Sequence, residues 1–285
     1  MLFNHRAPMS DPSRFQHRFH SMSLMRTAKE IIRDVIAKTG LSRVHVSIRK
    51  LRGQNVDHLL LTSLTERFSA VYENRVWLKG RSTGSLSGFG SELENTETVR
   101  QHLVELLESL KTRSLLDIGC GDFTWMKEVA FPYRYIGVDA VHNLIETNKT
   151  LYSSGLRSFK AMDATRDPLP RVDTVLCREV LFHLAFSDIW RMIENIRRSG
   201  SSFLIATNEN DIKYNADILS GDFRMLNLHR APLFFPKPTL SIPDNSVSPD
   251  RTLSAWKVAD LPEPRGTLKG KCDSGCDLQL RTEKS

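Results

Sequence analysis

Short apolar runs alternate with amphipathic stretches between Thr112 and Val258. Ser114–Ile118, Tyr135–Asp139, Phe159–Asp163, Val172–Cys177 and Ser202–Thr207 read as five strands, several of them continuously apolar. That is the pattern of a parallel sheet covered on both faces. Helices are expected near 122–130, 141–152 and 187–199. In the last, Ile189, Met192, Ile193 and Ile196 form one apolar stripe, and Ser187 is placed to cap it. An earlier helix follows Asn95 or Thr96, either of which suits a cap, with Val99, Leu103, Leu106, Leu107 and Leu110 along one face. The alternation predicts a doubly wound α/β sheet. Leu253–Val258 reads as one late strand, after a segment 211–250 rich in Pro, Asn and Asp.

Before Thr112 the rhythm is weaker. Residues 1–25 have no periodicity, while Leu24–Lys38 spaces Ile31, Ile32, Val35 and Ile36 as a short basic amphipathic helix. Residues 41–65 mix apolar and basic positions, and Gly80–Gly90 is a glycine- and serine-rich loop. The expected division is a basic N-terminal extension (1–79), an α/β domain (80–260) and a flexible polar tail (261–285).

Charge sharpens this division. The 285 residues carry a formal +7, but residues 1–52 hold 11 Lys+Arg against 3 Asp+Glu, so the remainder sums to −1. Basicity belongs to the arm, either as a nucleic-acid anchor or as a solvated extension. A hydrophobic content of 40% excludes wholesale disorder. No run approaches the ~18 apolar residues of a membrane span. Four scattered cysteines do not make a disulfide framework, and Cys272 and Cys276 lack the spacing and partners of a zinc site. A reduced, cytoplasmic protein without a metal is expected. The start lacks the apolar core of a secretory signal; its Arg- and Ser-rich character also suits an organellar transit peptide.

The most informative segment is Leu115-Leu116-Asp117-Ile118-Gly119-Cys120-Gly121-Asp122-Phe123. A strand ends, two glycines turn the chain, and the backbone is free of β-carbons where a ligand would approach. A dinucleotide fingerprint needs a third glycine where this chain has Thr124, so pyrophosphate cradling is disfavoured. Asp117 suits a cationic ligand group. Eighteen residues beyond Gly121, Asp139 ends the second strand, placed to accept ribose hydroxyls; Asp163-Ala164 ends the third, placed to read an adenine edge. Three acids at three strand tips describe a nucleoside site for a molecule with a positively charged tail. Each also has an ordinary structural reading, as a strand joint or a cap, and Cys120 reads as buried filler.

Asp-Ile-Gly-Cys-Gly, then Val-Asp, then Met-Asp-Ala on this strand rhythm resembles the class I S-adenosylmethionine-dependent methyltransferases. The resemblance implies a Rossmann-like sheet over about 80–260, with S-adenosyl-L-methionine as cofactor. It implies that Asp117, Gly119 and Gly121 line the methionine moiety, Asp139 the ribose, and Asp163 with Ala164 the adenine. Gly88-Phe89-Gly90-Ser91 would fold over the methionine end as a lid. The Asn/Asp-Pro-Pro-aromatic signature of many nucleobase and amide methyltransferases is absent after the fourth strand, where Cys177-Arg178-Glu179-Val180-Leu181-Phe182-His183-Leu184 stands instead.

Methyl transfer is a direct displacement that needs alignment and, for oxygen or nitrogen acceptors, a base. His183 is the candidate base. Glu179 is placed to orient it from one helical turn away, and Arg178 to hold an acidic substrate group; the two read equally well as a structural ion pair. Asn208–Asn210, Gly221–Arg224, Asn227–Leu228 and Ala231–Pro236 are expected to wall the acceptor side. The expected acceptor is a hydroxyl or amine of a small molecule or glycan. RNA held by residues 1–52, and a non-catalytic protein that kept the fold, are the competing readings.

Overall fold

The computed structural model describes residues 31, 32, 34–36 and 39–264. The basic helix expected over Leu24–Lys38 lies mostly outside the described residues, as do most of the tail and Cys272 and Cys276. The core is a seven-stranded sheet built from β1 (Ser114–Ile118), β2 (Arg134–Asp139), β3 (Arg157–Ala161), β4 (Thr174–Cys177), β5 (Phe203–Glu209), β6 (Leu240–Pro243) and β7 (Arg251–Lys257). Its strand order is β3-β2-β1-β4-β5-β7-β6. The first five strands are parallel and β7 inserts antiparallel beside β5, with Thr207 opposite Leu253.

Helices cover both faces. On one, α5 (Phe186–Ser199) buries Ile189, Met192, Ile193 and Ile196 against β4 and β5 together with Trp256. Each such side chain contributes roughly 1.5–3 kcal/mol of transfer free energy. On the other face, α3 (Glu97–Ser109) buries Val99, Leu103, Leu106 and Leu107, and α4 (His142–Tyr152) adds Ile145. Two shorter helices, α1 (Ser42–Leu51) and α2 (Leu64–Glu73), precede the sheet, and α2 starts with a capping box between Ser63 and Glu66.

Four local expectations are corrected. No helix forms at 122–130, where one 3-10 turn spans Met126–Glu128. Phe123 takes a left-handed φ of 59°, and Asp122 is drawn away to accept from Ser85 Oγ and the Leu86 amide at 2.8 and 2.7 Å. Phe123, Trp125, Met126 and Val129 cover the sheet there as irregular chain. β3 ends at Ala161, two residues short of Asp163, because its pairing with β2 runs out at Asp139–Ala161. Ser187 does not cap α5: the cap is Ala185, and Asp217 Oδ1 accepts from the Phe186 amide at 2.8 Å. Thr96 caps α3 without a side-chain bond, its hydroxyl turning back to the Glu92 carbonyl at 3.0 Å. Finally, β6 had no recognisable apolar run; its residues are mostly exposed and held by pairing with β7. Among the described residues, no helix is long and apolar enough to cross a membrane.

Candidate active site

A cavity opens at the carboxyl edge of the sheet. It lies where the chain order reverses between β1 and β4, the usual ligand position in open α/β sheets. Gly119, Asp139, Asp163, Ala164, Arg178, Glu179 and His183 all line it. Asp117, Gly121, Gly88 and Gly90 are not among the lining residues.

Gly119 and Gly121 adopt left-handed φ of 71° and 59°. A Cβ on Gly119 would collide with Val180, and one on Gly121 with Ser87. Both positions therefore require glycine twice over, by backbone conformation and by close approach. Gly90 is a third close approach, its α-carbon packed against the Glu179 carboxylate. Ser87 Oγ accepts from the Asp122 amide at 2.9 Å and meets Tyr72 Oη at the same distance. The glycine-rich loop is thus sewn to the turn after β1, and Ser87 and Ser91 reach the cavity.

Asp139 ends β2 with both oxygens engaged: Oδ1 accepts from the Val141 amide at 3.0 Å and Oδ2 from the Gly121 amide at 3.2 Å. Burial pushes its pKa up to about 6 against these amide bonds. Each oxygen keeps a further lone pair for a ligand hydroxyl. Asp163 lies beyond the strand, where Oδ1 accepts from the Thr165 amide and hydroxyl at 2.9 and 2.7 Å. It shapes the loop that carries Ala164 to the cavity.

Asp117 does not face the cavity. Its Oδ2 accepts from Tyr135 Oη at 2.6 Å on the other side of β1, and burial pushes its pKa up to about 7. A carboxyl whose folded pKa exceeds its unfolded value adds stability below the unfolded pKa, and that stability is lost as pH rises through the folded one. The contribution of Asp117 to stability should therefore fall between about pH 4 and pH 7, by up to about 4 kcal/mol. Asp117→Asn should flatten this fall in urea titrations at a series of pH values. An unchanged slope would contradict the placement of Asp117.

Arg178 and Glu179 have ion-pair partners within the protein, and His183 is held by a group other than Glu179. Glu179 has a left-handed φ of 58°, so no helical turn connects it to His183. The group that orients His183 is the Asp222 carbonyl, 2.8 Å from Nδ1. This bond places the proton on Nδ1 and the lone pair on Nε2. Burial holds the ring at a pKa of about 4, hence neutral. The imidazole stacks on Trp77 at 4.8 Å between centroids.

Arg178 commits three of its five N–H donors to groups of the protein. It makes a two-pronged bond to Asp244 at 3.1 and 2.9 Å and donates to the Gly90 carbonyl at 3.0 Å. Glu179 bonds Arg251, which also holds Glu209 at 2.7 Å. Two guanidiniums and three carboxylates thus form a buried network that ties the glycine-rich loop to the start of β7.

The acceptor wall differs most from expectation. Asn208, Asn227 and Arg224 are buried scaffolding and do not line the cavity. Asn208 Oδ1 accepts from the Leu228 amide at 2.6 Å, Asn227 Nδ2 donates to the Ile212 carbonyl at 2.9 Å, and Arg224 donates to the Leu184 carbonyl at 2.7 Å. An irregular buried segment must satisfy its own backbone, and asparagine amides do so. The facing wall comes instead from Leu64, Phe68 and Tyr72 of α2 and from Trp77, residues unassigned in the sequence reading. Their signal was present: Ser63-Leu64-Thr65-Glu66 is a capping box, followed by Phe68, Val71 and Tyr72 at helical spacing.

Residues 116–205 match the model of a methyltransferase domain. No curated protein matches the chain. Among solved structures, the chain is similar to magnesium protoporphyrin IX methyltransferase from Synechocystis with bound S-adenosylhomocysteine. There the identity is 17% over 54% of this chain and 74% of that one, with a TM-score of 0.41. It is similar to human N-acetylserotonin methyltransferase in complex with S-adenosylmethionine, at 18% identity over 61% and 50% of the two chains and a TM-score of 0.42. A pyocyanin biosynthetic protein is similar at 14% identity over 57% and 55%, with a TM-score of 0.43.

Proposed function

We propose, for a chain that belongs to the class I S-adenosylmethionine-dependent methyltransferases, that it methylates a hydroxyl or amine of a small, largely apolar molecule. One observation carries the acceptor reading. A neutral His183 and an apolar, aromatic wall of Leu64, Phe68, Tyr72 and Trp77 share one cavity with the cofactor acids. Such a wall favours a flat apolar ligand over a sugar, which would leave its hydroxyls without partners.

The residues fit the cofactor. The two glycines that exclude a Cβ leave room for the backbone to approach it, and Asp139 offers two acceptors to a ribose diol. Asp163 with Ala164 takes the adenine end, and Gly119, Gly121 and the Ser87–Ser91 loop the methionine end. Asp139, Asp163 and Glu179 line the cavity with Arg178 as the cationic partner, a balance that favours a cationic ligand. Bound S-adenosylmethionine supplies a methyl group activated by its sulfonium. The protein's part is to align the nucleophile, to exclude water with the lid loop, and to accept the nucleophile's proton at His183 Nε2.

Calorimetry with S-adenosylhomocysteine, followed by transfer of labelled methyl from S-adenosylmethionine to panels of aromatic hydroxyls, aromatic amines and sugars, tests this reading. Binding with transfer to an aromatic acceptor is expected. Absence of binding would overturn the whole proposal, and transfer to sugars alone would overturn the acceptor class. Asp139→Asn should weaken S-adenosylhomocysteine by about ten- to a hundredfold, the loss of one charge-assisted hydrogen bond of about 1.5–3 kcal/mol. An unchanged Kd would remove Asp139 from the cofactor site.

RNA recognition through residues 1–52 has less support. Two of the arm's cations are already paired, Arg49 with Asp222 at 2.6 Å and Lys50 with Asp57 at 2.9 Å.

A further inference from the structure

Three successive carbonyls of the loop 220–222 are each taken by a side chain from elsewhere in the fold. Arg67 Nη1 donates to the Ser220 carbonyl at 3.0 Å, His58 Nε2 lies 3.1 Å from the Gly221 carbonyl, and His183 Nδ1 lies 2.8 Å from the Asp222 carbonyl. Gly221 makes this fan possible through a left-handed φ of 100°. The backbone is also laced to the cavity side, the Gly221 amide donating to the His183 carbonyl at 2.8 Å and the Arg224 amide to the Phe182 carbonyl at 3.1 Å. One further grip comes from α1. Arg49 Nη1 and Nη2 donate to the two carboxylate oxygens of Asp222 at 2.6 and 3.2 Å, across 173 residues of sequence. Both side chains are mostly buried, at 19% and 15% exposure.

We infer that Arg49 is a positioning residue for His183, acting through Asp222 to hold the imidazole in its Nδ1–H tautomer with Nε2 free to accept a proton. The inference rests on the reading of His183 as the proton acceptor. The two-pronged guanidinium bond fixes the plane of the Asp222 side chain, and hence the rotation of the residue whose own carbonyl meets Nδ1. Arg67 and His58 hold the two preceding peptides, and Arg49 adds a grip on the Asp222 side chain itself. The N-terminal helices are then part of the catalytic assembly, and a lysine at 49, a point charge without the planar fork, does not substitute.

The test is spectroscopic and needs no acceptor. The full-length protein carrying 15N-labelled histidine is compared with Arg49→Met, Arg49→Lys and Asp222→Asn by long-range proton–nitrogen correlation at neutral pH. His183 is identified by the signal missing in His183→Gln. The wild type should show a protonated Nδ1 and an unprotonated Nε2. Arg49→Met should shift the tautomer ratio about fivefold, the equivalent of a hydrogen bond of about 1 kcal/mol, with S-adenosylhomocysteine affinity within twofold of wild type. Arg49→Lys should shift it in the same direction by less. An unchanged ratio in Arg49→Met overturns the inference; should that variant not fold, an unchanged ratio in Asp222→Asn does so. A shifted ratio alongside full methyl transfer by His183→Gln upholds the positioning and overturns the base, so the two failures are distinct.

Discussion

Replacing His183 by alanine lowers kcat for methyl transfer by an expected 10²–10³-fold, about the contribution of one positioned general base, while the Kd of S-adenosylhomocysteine stays within severalfold. The argument rests on three features of one side chain. Its Nδ1 is committed to the Asp222 carbonyl, its ring is wedged between Trp77, Phe182 and Phe223, and burial keeps it neutral. A ring held this way cannot rotate its lone pair away or lose it to protonation near neutral pH. His183→Gln separates proton transfer from packing, since an amide can still donate to Asp222 yet takes no proton. It should resemble alanine in kcat and wild type in stability. If the alanine variant kept activity within severalfold of wild type, proton removal would have to be assigned to solvent.

Asp244→Ala is expected to cost about 3–5 kcal/mol of stability, because it leaves the Arg178 guanidinium buried without its main counter-charge. The side chains of Arg178 and Asp244 are 2% and 0% exposed, so water cannot replace the lost carboxylate. Arg178 stays charged because Asp244 and Glu179 outweigh its burial. Urea titration should show the loss, and for a domain of this size melting should fall by about 6–20 °C. The double variant Arg178→Met/Asp244→Leu should recover much of the stability, since removing both charges also removes the desolvation cost. It should still bind S-adenosylhomocysteine more weakly than wild type, having lost the tether from Arg178 to the Gly90 carbonyl. A loss below about 1 kcal/mol in the single variant would mean that the network is hydrated.

The sheet was legible because its strands bury both faces, so Val175–Cys177 is continuously apolar and Leu115–Ile118 is broken by Asp117 alone. The glycine turn was equally legible, since Gly119 and Gly121 both take a left-handed backbone that favours glycine. Strand ends were less so. Asp163 read as a strand tip, but register with β2 stops the strand at Ala161. The segment 122–130 has helical composition, yet Asp122 forms tertiary bonds to Ser85 and Leu86 that outweigh local preference.

The candidate chemistry divides along the same line. What the sequence determined by itself was local in origin: the strands of a parallel sheet, the glycine turn, the acid at the end of β2, and a histidine soon after β4. Each depends on residues within a few positions of one another, where burial period and allowed backbone angles leave a readable trace. Tertiary structure alone decided what those residues touch. Arg178 became a tether, Glu179 a member of an ion network with Arg251, and His183 the partner of a carbonyl 39 residues away. A side chain's partner depends on which distant segment folds back beside it. Charge and polarity along the chain are the same whether a residue meets a ligand, an opposite charge or an unsatisfied peptide, and only the fold distinguishes them.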